Sequence, residues 1–197
     1  MTIRIPFLFP LLTAVVASVA LAGCGGDGVS SAADAESAYK GLDSSIDQAI
    51  QLGFDGFNAA SSANIPAQTG KGTTTGTMTI TGKVDQGSSS NKTMSLSEAL
   101  AMYSNDGKLT YDTSASALPT IAMKLSKIPT GTVDGTLDGA YTISGDLKGS
   151  VTLKLAFSGS LQASASDPNK VGRKPGTTHI TGTADSDYGT FNVDVTR

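Results

Sequence analysis

The residues able to do chemistry are few: one histidine, His179, one cysteine, Cys24, and carboxylates scattered through a chain rich in Gly, Ser and Thr. Triad-type catalysis needs a nucleophile and an orienting carboxylate converging on the imidazole. No Ser or Asp is singled out by spacing, and alternation sets His179 beside Thr177 and Thr181 on the polar face of a strand. One His and one Cys do not make an ordinary zinc site, which draws on several N and S ligands. The stretches DSDYG (185–189) and DGTLDG (134–139) share fragments with calcium loops but lack the third acidic position and the distal Glu. Their Asp and Gly have the composition of turns. No Gly-rich segment joins a strand to a helix as a phosphate cradle requires. The expectation is therefore no catalytic residue, no metal and no cofactor, and a protein that is not an enzyme.

One carboxylate has an unusual setting. In TMSLSEALAMYS (93–104) a strand period points Met94, Leu96, Leu100 and Met102 inward, with Glu98 among them. A buried, unpaired carboxylate is costly, so it must be paired, protonated or facing a cavity; a bulge that turns Glu98 to solvent is the simpler expectation. A helical period fits too, with Leu96, Leu100 and Tyr103 as the apolar stripe and Glu98 solvated. The strand is preferred. If Glu98 stays inward, it joins Met78, Ile80, Leu153, Leu155 and Phe157 as the candidate lining of a site for an apolar or amphiphilic ligand.

Cys24 is read from what precedes it. Arg4 is followed by the uncharged run IPFLFPLLTAVVASVALAG, which ends in small residues before GCGGDG. A basic start, an apolar stretch and a small-residue break make a secretory signal. Ile5 to Ala22 is also near the lower limit for a spanning helix, but Pro6 and Pro10 shorten the uninterrupted run to Leu11–Ala22. Leu21-Ala22-Gly23-Cys24 resembles the lipobox of bacterial lipoproteins. The resemblance implies a diacylglycerol-alkylated Cys24 thiol, cleavage just before it and acylation of the new amino terminus. Gly25, rather than Asp, follows the Cys, which in enterobacterial members resembles the outer-membrane default. The expected location is the bacterial cell envelope, held by two or three acyl chains, since one chain binds weakly. A lipidated Cys24 leaves no thiol for a disulfide.

These residues must be positioned by a chain of 197 residues with net charge −3, 39% hydrophobic, 16% charged and without Trp. Disorder needs low hydrophobicity together with high charge, and neither holds. There is no basic stripe for nucleic acid. After a tether over 24–31, Tyr39, Leu42, Ile46, Ile50, Phe54 and Phe57 recur at helical spacing, predicting an amphipathic helix within 32–60 that Gly53 could break. Residues 61–75 read as a loop.

From there the period is two. TMTITGKVD, LTYD, PTIAMKLSKI, GTLDGAYTISGDL, SVTLKLAFSGSLQAS and the closing pair TTHITGTAD and TFNVDVT, turning at Ser186–Gly189, predict strands over 71–197. A Gly-x-x-x-Ile-[Ser/Thr]-Gly pattern recurs at Gly76–Gly82, Gly139–Gly145 and Gly176–Gly182, as expected where a sheet bends. The fold class is α+β and mainly β: a curved antiparallel sheet, barrel or half-barrel, with one helix packed on it and forming one unit with it. One face of the strands is Thr, Ser, Lys and Asp, which does not suit a transmembrane barrel. Two functions stay open, a carrier of an apolar small molecule and a structural lipoprotein contacting an envelope protein. Open volume within the sheet would favour the first, and close packing the second.

Overall fold

In the computed structural model, which describes residues 32–165 and 167–197, one helix and ten strands form an α+β half-barrel. The signal, Cys24 and the tether to residue 31 lie outside the described residues. The strands are β1 (Asn64–Lys71), β2 (Thr75–Val84), β3 (Lys92–Ser104), β4 (Leu109–Asp112), β5 (Thr120–Ser126), β6 (Thr132–Gly145), β7 (Gly149–Ala163), β8 (Val171–Arg173), β9 (His179–Ser186) and β10 (Gly189–Thr196). All pair antiparallel, and the lanes follow chain order from β1 at one edge to β10 at the other. Strands β4 and β5 share one lane between β3 and β6, and β8 pairs with the C-terminal end of β7, beyond the stretch that β9 pairs. This is the meander that short turns and even spacing predict.

The helix α1 (Ala32–Ala59) lies on the concave side, burying Leu42, Ile46, Ile50 and Phe54 completely. It touches both edges of the sheet. Towards β1, Ile65 packs where a side chain at Gly56 would stand, and Gln48 Nε2 donates to Lys71 O at 3.3 Å. Towards β10, the Tyr39 ring stacks on Phe191 at 5.1 Å between centroids, and Asp43 pairs with Arg197. Asn58 serves the main chain of β8 as a neighbouring strand would, donating to Val171 O at 2.8 Å and accepting from Val171 N–H at 2.9 Å.

The helix does not break at Gly53. A Cβ at Gly53 would stand 2.8 Å from Leu96 Cδ1, and one at Gly41 would stand 2.1 Å from the Tyr111 hydroxyl. These glycines weaken the helix as an isolated segment, but they let the sheet approach its backbone. Close packing outweighs propensity here.

Four expectations need correction. The predicted loop at 61–75 contains β1, which is Pro-containing and bulged between Ile65 and Gln68, so its alternation is broken. Residues 93–104 are strand, and the bulge expected at Glu98 lies instead at Met102. There β3 advances three residues, Ser104 to Ala101, against two in β2. Met102 takes a φ of 51° and is 64% exposed rather than inward, and Tyr103 takes the inward place. Residues 134–139 are not a turn but the middle of β6, with Asp134 opposite Lys124 and Asp138 opposite Lys154 on the outer face. The turn at 185–189 is a turn, with Gly189 paired to Ser186.

The glycine echo has a geometric cause. Gly182 has a φ of 141°, and a Cβ there would stand 2.1 Å from Lys154 O on β7. Gly82, its counterpart in β2, would meet Ser95 O on β3 at 2.3 Å. Each closes its motif where the neighbouring backbone comes too near for a side chain. Gly182→Ala combines that clash with left-handed strain and should cost about 2 kcal/mol or more. Gly172→Ala in β8 meets open space and should be near neutral. Urea unfolding of the two variants measures the difference; equal midpoints would remove the strain argument.

Candidate functional site

All six residues nominated as a lining face the concave side, but they share no open site; Phe157 alone borders a cleft, of about 260 Å³, beside Gly135 and His179. Met78, Ile80 and Leu153 are fully buried, and Glu98, Leu155 and Phe157 are at most 3% exposed. All but Glu98 belong to one apolar cluster with the helix face. Ile80 and Glu98 are cross-strand partners, whereas Leu153, Leu155 and Phe157 line β7 across the concave face. Phe157 fills the space above Gly135, where a Cβ would stand 2.3 Å from its ring.

Glu98 remains inward, in a break of the sheet wall. Between Asp112, the last residue of β4, and Thr120, the first of β5, the chain leaves the shared lane, exposing 114–117. The two ends of this excursion satisfy the backbone of β3: Glu98 N–H donates to Pro119 O at 3.0 Å, and Leu100 N–H donates to Thr113 Oγ1 at 3.0 Å. Behind the break the Tyr141 hydroxyl, on β6, donates to Glu98 Oε2 at 2.7 Å. Gly139, two residues before it on β6, has no side chain in the space where Pro119 packs.

The other carboxylate oxygen, Oε1, is buried with no hydrogen-bond partner. Burial pushes the Glu98 pKa up to about 7, against the opposing pull of the Tyr141 hydrogen bond. Burial, together with the Glu98 charge and hydrogen bond, pushes the Tyr141 phenol well above its usual range. In this setting Glu98 keeps its proton up to about neutral pH. Tyr141 falls in the buried phase of β6 with Val133, Leu137 and Ile143, and a buried phenol needs a polar partner; that was the available signal for the pairing.

His179 keeps to the outer face, with Nε2 2.7 Å from Asp194 Oδ1. Among the described residues no group of three His, Cys, Asp or Glu side chains is placed to hold a metal ion, and no helix is long and apolar enough to cross a membrane. The clefts are open and polar-edged. One of about 450 Å³ lies beside the start of α1, between Lys40, Asp106 and Leu147. Another of about 300 Å³ lies between α1 and the β8–β9 connection.

Comparison with protein families, with curated proteins and with solved structures finds no match in any of the three.

Proposed function

We propose that this chain is a lipid-anchored structural lipoprotein of the bacterial cell envelope, which holds a rigid half-barrel against an envelope protein and carries no apolar ligand in its interior. The observation that supports this reading is the position of α1. A carrier needs a few hundred Å³ of apolar volume inside its sheet, and here Leu42, Ile46, Ile50 and Phe54 occupy the concave face at full burial. The polar contacts along both seams hold the helix as a built part of the core. The convex face offers rows of short polar side chains, such as Thr81, Ser97, Thr120, Asp138, Lys154, Thr183 and Asn192 across successive strands. A broad surface of that kind suits a polar protein partner.

The anchor and the interior are tested separately. Growth with labelled palmitate should mark the wild-type chain and leave Cys24→Ser unlabelled and released from membranes; labelling of both would remove the anchor. Native mass spectrometry of the chain, before and after incubation with a lipid extract, should give the mass of the covalently lipidated chain and nothing more. An added mass lost on denaturation would return the carrier reading.

A further inference from the structure

The cleft between α1 and the β8–β9 connection has a chemistry that the packed-core reading does not use. Its walls carry Asp47 and Gln51 from the helix, Arg173 and Lys174 from the end of β8, Thr178 before β9, and Arg197 after β10, around about 300 Å³. Arg173 is the central group. Its side chain is only 10% exposed, and Nη2 donates to Asp47 Oδ1 at 2.7 Å and to Asp47 O at 3.3 Å. Its Nε–H is buried with no acceptor, and the Thr178 hydroxyl, on a residue 1% exposed, is also without a partner.

Two orphaned polar groups in the wall of one cleft are unusual, because a buried donor left unmade costs about 1–3 kcal/mol. A guanidinium presents five donors in a planar fork, and its free edge matches an oxyanion. The charges around it bear this out. Arg197 is taken by Asp43, and Arg173 by Asp47 through one nitrogen. The main-chain oxygen of Arg197 accepts from Thr178 N–H at 2.9 Å, one step beyond the end of the β9–β10 ladder. Lys174 is exposed at the rim and makes no ion pair among the described residues. Asp43 and Asp47 are thus engaged, while the Lys174 ammonium makes no ion pair and the buried Arg173 Nε–H has no acceptor.

We propose that this cleft binds a small oxyanion, a phosphate or carboxylate group, on Arg173 Nε–H and the Lys174 ammonium, with the Thr178 hydroxyl as a third donor. The site lies at the helix–sheet seam, so an anion there ties the β8–β9 connection to α1 more firmly.

Inorganic phosphate is the probe. Titrated into the detergent-solubilised chain at constant ionic strength, it should shift the Gly176 and Thr178 amide resonances saturably, with millimolar affinity, and slow solvent exchange of the Arg173 Nε–H. Lys174→Glu, a surface change, should weaken binding at least tenfold at an unchanged melting temperature. Arg173→Lys should abolish it, since an ammonium lacks the fork. Dihexanoyl phosphatidylglycerol in parallel separates the sources: tighter binding than phosphate assigns the anion to a lipid headgroup, equal binding to a free ion. Shifts that chloride reproduces at the same ionic strength, or that Lys174→Glu leaves intact, overturn the site.

Discussion

Glu98→Gln should melt several degrees higher than the wild type at pH 8 and at nearly the same temperature at pH 4. In the unfolded chain the Glu98 carboxyl loses its proton near its ordinary value of 4.5; in the folded protein it holds the proton to about 7. Between those values the unfolded state binds fewer protons than the folded one, so stability falls as pH rises. Below pH 4.5 the term is absent, and above about 7 it has reached its full size, on the order of 3 kcal/mol. Glutamine cannot ionise and keeps an oxygen for the Tyr141 hydroxyl. For a domain of this size roughly 3 kcal/mol corresponds to about 6–12 °C.

Other carboxylates act in the opposite sense. Hydrogen bonds from Thr93 to the exposed Asp85 hold its pKa down, so its contribution is present above the unfolded value and fades in acid. The informative quantity is therefore the difference between the two proteins, taken by calorimetry at matched pH. A difference that does not change between pH 4 and pH 8 would mean that Glu98 is solvated, and that the break between β4 and β5 admits water to it.

Phe54→Ala should be the most damaging truncation in the helix. The ring is fully buried among side chains from both layers. Its removal loses the transfer energy and leaves a cavity, about 3–5 kcal/mol together. On a domain of this length that is roughly a 10 °C fall. Phe57 is only half-buried, and its alanine variant should cost far less. The comparison bears on function, because a helix that lifts away as a lid contributes little to global stability. Hydrogen exchange of the α1 amides is the second readout. As part of the cooperative core they exchange only by global unfolding; as a lid they exchange earlier, in a separate step. A loss below about 1 kcal/mol, with early exchange, would favour a carrier whose interior opens when α1 moves.

The amino-acid sequence by itself determined the class and most of the elements. Apolar residues at three and four mark α1, and strict alternation marks β2, β6, β7, β9 and β10, because burying one face of a helix or strand imposes its own period. The lane order followed from the short turns, and the repeated glycines marked close approaches between strands. The inward direction of Met78, Ile80, Leu153, Leu155 and Phe157 was legible for the same reason, whereas Glu98 was expected to turn outward. The expectation at Cys24 rests on local sequence alone and lies outside the described residues.

Only the tertiary structure decided the rest. Strand β1 was hidden because Pro66 and a bulge break its alternation, and β8 because three residues carry no period. A bulge shifts the side-chain phase by one residue; whether it falls at Glu98 or Met102 depends on the pairing of β3 with β2, which local sequence does not encode. The Glu98–Tyr141 bond joins strands separated by a whole lane, and Arg173 meets Asp47 across more than a hundred residues of chain. Period reports which way a side chain faces, and not what stands opposite. The choice between a ligand cavity and a packed core was therefore open until the position of α1 was known: it fills the concave face because neither the helix stripe nor the inner sheet face can leave its apolar surface in water.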